Sequence, residues 1–259
     1  MIISYKNNYI FLHSRKTAGS TISVALAQTL GPSDIMVGTW EDALNYGVNL
    51  NERSQKILKE QLIFYWPKLL PPYLLGQRDQ FFPPHAVNGA VRKYLSKKYN
   101  LSGAHADAKS VAAFTDEFWH NAFKFAFVRN PWEHAVSDYN WRLHLRKTQI
   151  SFKEFLYRVA DLKRDDPEKI RPPVITNWPI YTIDDQIVVD RVCFYENLHS
   201  ELENIRQKTG VAIDLQQINA KANIKPNKNV SSYYDEECIE IVRRVYHKEI
   251  KEFNYNIPF

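Results

Sequence analysis

The sequence predicts an α/β fold in which a mostly parallel central sheet carries helices on both faces. Three observations predict it. Short apolar runs of strand character alternate with segments of helical periodicity along the chain. Two of those runs end in polar turns that open into helices, as crossover connections do. The chain has 259 residues, 44% hydrophobic and 24% charged, which suits one large domain, residues 1–259, with a substantial core.

The elements follow in order. Asn8–His13 reads as a short buried strand, and a polar turn leads from it into a helix over Ile22–Leu30, which Gly31-Pro32 stops. Asp34–Val37 is expected to be a second strand and Asn51–Tyr65 a helix. Trp66–Pro84 carries five prolines among aromatics and reads as an irregular excursion. It belongs to an insertion over about residues 32–100 that suits either a wall for a substrate or a packed surface loop. Val87–Tyr99 reads as a helix, and Phe123–Val128 is the clearest strand. Pro131 suits the first turn of a helix running to about Lys147. Helices over Phe152–Val159, Leu198–Thr209 and Glu236–Phe253 and a strand over Ile187–Phe194 complete the pattern, with Gly210 closing the second of these helices.

The formal net charge of +5 favours anionic ligands such as a phosphorylated cofactor or an acidic polymer. No basic run is long enough for a nucleic-acid tail, so no nucleic-acid partner is expected. The two cysteines, Cys193 and Cys238, lie far apart and form no C-x-x-C pair, so two buried thiols are expected and no metal site. Residues 1–8 lack the charged start and apolar core of a signal peptide. No run of about 18 apolar residues occurs, so no stable membrane insertion is expected and a cytoplasmic location is the simplest reading.

Two turns carry distinctive chemistry. The first, Lys16-Thr17-Ala18-Gly19-Ser20-Thr21, places a cation, hydroxyls and a glycine at a helix start, where unpaired N–H groups and the dipole favour an anion. It is not a Walker A loop, because Lys16 precedes the glycine instead of following it. The second is Phe127-Val128-Arg129-Asn130-Pro131-Trp132, followed by Ser137. Arg129 at a strand end can grip a phosphate with both arms of its fork, and Ser137 can donate to the same group.

Ile10 to Ser20 resembles the 5′-phosphosulfate loop of the sulfotransferases that use 3′-phosphoadenosine 5′-phosphosulfate (PAPS), and Phe125 to Trp132 with Ser137 resembles their 3′-phosphate motif. The lysine-threonine-alanine-glycine loop is similar to that of the carbohydrate sulfotransferases. Val189 to Leu198, Tyr233-Tyr234-Asp235 and Phe253-Asn254-Tyr255 resemble later parts of the same family. The chain departs from the pattern at Ser14-Arg15, where the family has an apolar residue and a proline.

The resemblance implies a P-loop-like sulfotransferase fold and transfer of a sulfuryl group from PAPS to an acceptor hydroxyl, on a carbohydrate, leaving adenosine 3′,5′-bisphosphate. It implies that Arg15, Lys16, Thr17, Ala18, Gly19, Ser20 and Thr21 form the cofactor loop, with Lys16 also catalytic, and that Arg129 and Ser137 hold the 3′-phosphate. Arg15 either adds a second cation there or points to solvent. His105, in a glycine-alanine-histidine-alanine context, is the candidate general base, with His85 second. Lys228 suits either a cofactor contact or a solvated loop. Two other functions share these features. A P-loop-type kinase or nucleotide phosphotransferase would use Ile187-Val188-Val189-Asp190 as a metal-holding strand end, and a non-catalytic binder of nucleotides or acidic polymers would use the cationic pocket alone.

Overall fold

A computed structural model of the chain describes residues 1–61, 84–101, 103–213, 215 and 229–259. Its centre is a five-stranded sheet of β1 (Ile2–Ser4), β2 (Tyr9–Leu12), β3 (Ile35–Met36), β4 (Phe123–Val128) and β7 (Arg191–Phe194), in the order β3-β1-β2-β4-β7. β1 runs antiparallel to both its neighbours, while β2, β4 and β7 pair in parallel. Four of the five strands therefore point the same way.

The helices flanking the sheet are α1 (Gly19–Ala27), α2 (Trp40–Asn45), α3 (52–61), α4 (Pro84–Tyr99), α5 (Ala108–Thr115), α6 (Glu117–Asn121), α7 (Pro131–Arg146), α8 (Phe152–Ala160), α9 (Trp178–Tyr181), α10 (Leu198–Thr209), α11 (Glu236–Val245) and α12 (His247–Glu252). A two-stranded hairpin, β5 (Thr182–Ile183) with β6 (Gln186–Ile187), stands apart from the main sheet.

Many aromatic rings among the described residues pack into the core. Tyr9, Phe11, Phe125 and Phe127 are fully buried around the central strands, and Phe11 stacks on Phe125 with centroids 5.1 Å apart. A second cluster packs Trp132, Phe152, Phe155, Ile241 and Val242 between α7, α8 and α11. Cys193 and Cys238 are buried and free, and burial raises the pKa of both thiols.

Several boundaries differ from the sequence reading. Ile2–Ser4 forms a strand that the reading missed. α1 starts at Gly19 and ends at Ala27, earlier than expected at both ends. The strand expected over Ile187–Phe194 is split: Gln186–Ile187 belongs to the hairpin, and β7 begins at Arg191. The helix expected over Glu236–Phe253 breaks at Tyr246, whose φ of −105° and ψ of 25° leave helical geometry. The proline-rich excursion expected over Trp66–Pro84 lies outside the described residues up to residue 83, and Pro84 opens α4.

Asp190 explains the late start of β7. Its carboxylate accepts the Lys124 backbone N–H at 2.7 Å and lies 2.9 Å from the Lys124 ammonium, while its own N–H donates to the Lys124 carbonyl at 2.9 Å. Asp190 thus locks the register of β4 and β7 at their N-terminal ends. Ligands in such sheets bind at the opposite, C-terminal ends, so a phosphotransferase metal-holding role does not suit it. Asp190→Ala is expected to cost about 1 kcal/mol of stability in urea denaturation; an unchanged midpoint and slope would contradict the register lock.

Candidate active site

β2 ends at Leu12, and residues 13–18 turn the chain into α1. Lys16 and Ala18 adopt left-handed conformations, with φ of 60° and 59°, while Thr17 and Gly19 between and after them do not. Alternation of left-handed and other conformations is the pattern on which backbone nests for anions are built. The N-cap residue Ala18 has no side chain to cap α1, and the positive end of the helix lies at the same turn. Holding non-glycine residues left-handed costs of order 1 kcal/mol each, strain that concentrates at functional sites.

Within this turn the Thr17 hydroxyl is buried and donates to the Ser14 carbonyl at 3.1 Å, so Thr17 offers an anion its backbone rather than its side chain. Ala18, Ser20 and Thr21 are half-buried. Gly19 also has a packing role. Its φ is not left-handed, but a Cβ there would lie 2.1 Å from Cδ2 and Nε2 of His13. Glycine is required because the His13 ring packs against the loop.

β4 runs parallel to β2, with Leu12 opposite Ala126, and this register brings the second turn beside the first. The Arg129 Nη1 lies 3.4 Å from the Lys16 carbonyl oxygen, and its guanidinium sits 4.4 Å from the centre of the Tyr195 ring. Its Nε and Nη2 donate to Glu133 at 3.2 and 3.0 Å. Both members of this pair keep some exposure, 18% and 29%, so the arginine is not sealed in the core. Asn130 caps α7 by accepting the Trp132 N–H at 3.1 Å, and its own N–H donates to Glu196 at 2.6 Å. Ser137 is half-buried on α7, and Trp141 follows one turn later with the Lys16 ammonium 5.2 Å from its ring centre.

His105 belongs to the same cluster. Its Nδ1 lies 2.7 Å from the His13 carbonyl oxygen, and the two imidazoles meet edge-on at 4.7 Å. A carbonyl can only accept, so Nδ1 carries the proton and the basic lone pair of the neutral ring sits on Nε2. Asp107 instead caps α5, accepting the N–H and hydroxyl of Ser110 at 2.8 Å each. The side chain of His85 and all of Lys228 lie outside the described residues.

Arg15 does not point to solvent. It is 6% exposed, with its guanidinium on Asp138 of α7 and on the Val174 carbonyl. Its backbone is held as tightly, because Asn177 accepts the Arg15 N–H at 2.9 Å and donates to the Arg15 carbonyl at 3.0 Å. Burial alone would raise the Asp138 pKa, but the Arg15 and Arg142 guanidiniums around it hold the carboxyl below its ordinary value. His134 is fully buried and its pKa falls to about 3, so it is neutral.

Behind Arg129, a small cavity is lined by His134, Asn177, Tyr181, Tyr246 and Glu249. His134 Nδ1, the Tyr181 hydroxyl and Glu249 Oε1 lack a protein hydrogen-bond partner there. Burial raises the Glu249 pKa to about 7, against the pull of the Asn177 and Trp178 backbone amides.

The fold is that of a P-loop-like α/β protein, with two cation-bearing turns at adjacent strand ends. The chain matches the model of the Sulfotransferase family over residues 1–256, and it belongs to that family. It is accordingly an enzyme of sulfuryl transfer. No curated protein and no solved structure matches it.

Sequence reasoning missed Tyr195, Asp138, Asn177, Trp141 and His13. Asp138 and Tyr195 stood next to singled-out residues, but only tertiary pairing gives them partners. Among the described residues, no group of three His, Cys, Asp or Glu side chains is placed to hold a metal, and no helix is long and apolar enough to cross a membrane.

Two outcomes follow from this geometry. Gly19→Ala forces the His13 ring aside and is expected to cost about 1–3 kcal/mol, measurable by denaturation; an unchanged stability would show the ring moves freely. Glu249, with an ordinary pKa of 4.5 raised to about 7 in the folded chain, keeps a proton that the unfolded chain releases. Its contribution is therefore full below about pH 4.5 and lost as pH rises through about 7. The loss amounts to at most about 3 kcal/mol. Melting temperatures of Glu249→Gln relative to the parent should shift in the variant's favour across that window, and a pH-independent difference would contradict the assignment.

Proposed function

We propose that this sulfotransferase takes its sulfuryl group from PAPS and delivers it to a hydroxyl of a carbohydrate. The observation that carries the donor is the alternating backbone nest at Lys16–Gly19, opening the uncapped α1 one strand away from Arg129. Two anion sites on neighbouring strand ends suit a nucleotide phosphorylated at both its 5′ and 3′ positions, a requirement a plain adenylate does not make. The lysine-threonine-alanine-glycine loop and the Trp141 ring beside Lys16, a flat apolar face of the kind sugars stack on, support the carbohydrate acceptor.

Bound PAPS would supply the activated sulfuryl group on a leaving bisphosphorylated nucleotide. The backbone of Thr17 and Ala18 and the first turn of α1, Gly19, Ser20 and Thr21, hold the 5′-phosphate. Lys16 neutralises charge as it builds on the leaving phosphate oxygen. Arg129, with Ser137, holds the 3′-phosphate. Its partly exposed pair with Glu133 is weak enough to yield to a phosphate dianion, which a guanidinium fork binds more strongly. Arg15 is not part of this set; it lies beneath it. His105 accepts the proton of the acceptor hydroxyl at Nε2, the nitrogen left basic by the His13 carbonyl at Nδ1. The chemistry needs positioning and charge stabilisation more than a covalent intermediate.

Incubation with labelled PAPS and a panel of glycans, read by mass spectrometry, is expected to yield a sulfated sugar. Nucleotide binding without transfer to any acceptor would favour a non-catalytic binder instead. His105→Ala should cut turnover by about 10²–10⁴ yet leave binding of adenosine 3′,5′-bisphosphate intact. Parent-like turnover would remove His105 from the mechanism.

A further inference from the structure

The arginine that replaces the family's proline has a partner placed to matter. Arg15 immediately precedes Lys16, and Asp138 immediately follows Ser137. The two are joined in an ion pair with side-chain exposures of 6% and 0%. The residues next to the two anion sites are therefore tied together through the interior, by a side-chain link between the first turn and α7. The tie is rigid at both ends. Arg15 is held at its N–H and its carbonyl by the Asn177 amide, with the His134 Nε2 also 3.1 Å from that carbonyl. Its fork reaches the Val174 carbonyl as well as Asp138. Asp138 sits within the rigid middle of α7, with Arg142 3.9 Å away one turn on.

A buried ion pair adds little net stability, because desolvating both charges offsets their attraction. Its directional geometry can nevertheless fix one spacing between the elements that carry it. We infer that the Arg15–Asp138 pair is a strut that sets the distance between the two phosphate sites, making Arg15 and Asp138 positioning residues for selection of a nucleotide bearing both a 5′- and a 3′-phosphate. This rests on the PAPS reading above. The strut touches neither phosphate. Its loss leaves the backbone nest able to bind a 5′-phosphate while the 3′-phosphate no longer meets Arg129 and Ser137 at the right separation.

The test is calorimetric binding of adenosine 3′,5′-bisphosphate and of adenosine 5′-monophosphate to the parent, Arg15→Lys and Asp138→Asn proteins, with thermal melts alongside. Arg15→Lys keeps the buried charge balance but cannot reach Asp138 and Val174 together. The expected result is a fall of about tenfold or more in the preference for the bisphosphate, the scale of one misaligned charge-assisted hydrogen bond, with affinity for the monophosphate nearly unchanged. A folded variant that keeps the parent's preference, or that loses both affinities equally, overturns the strut. So does unfolding of both variants, which would make the pair a requirement of the fold alone. A parent protein with no preference for the bisphosphate would instead refute the PAPS reading itself.

Discussion

The parallel pairing of β2 with β4 is the constraint on which the rest of the site depends. Tyr9 opposes Phe123 and Leu12 opposes Ala126, so both strands deliver their C-terminal turns to the same place. Stacking of Phe11 on Phe125 and burial of Tyr9 and Phe127 make this register costly to shift, since a slip of one residue would turn every one of these rings to the opposite face. Everything cationic in the site is then local. Lys16 follows one strand by four residues, Arg129 follows the other by one, and they meet because the strands do.

Beneath the turns that carry Lys16 and Arg129 lies a second layer of buried polar groups. Asp138, Arg15, Arg142 and His134 neutralise or accommodate one another, and Asn177 closes the layer against the backbone of the first turn. Glu249 stands at its margin with a raised pKa and an oxygen that no protein group satisfies. Such a layer is a poor source of stability and a good source of specified geometry. The strained left-handed turn at Lys16 and Ala18 needs such backing, because nothing in its own conformation favours it.

Much of this was legible in the sequence where the signal is local. Phe123–Val128 ends at a turn whose Asn130 and Pro131 specify a capped helix start, and Gly210 closes α10 with the left-handed φ of 71° that favours glycine. The family was legible because its resemblance lives in contiguous motifs, the turns after β2 and β4. Illegible were features fixed by partners distant in sequence. The space Gly19 leaves for His13 depends on a ring six residues away across a turn, and the inward course of Arg15 depends on a carboxylate 123 residues on. The short β1 carries too few residues for a period, and the break at Tyr246 interrupts an amphipathic stripe that continues on both sides.

A crystal structure of the protein with adenosine 3′,5′-bisphosphate tests the central claim most directly. The account places the 5′-phosphate in the Lys16–Thr21 turn and the 3′-phosphate between Arg129 and Ser137, with Arg129 turned from Glu133 towards it. A nucleotide bound elsewhere, or bound with Arg129 still paired to Glu133 and its 3′-phosphate in solvent, would contradict it.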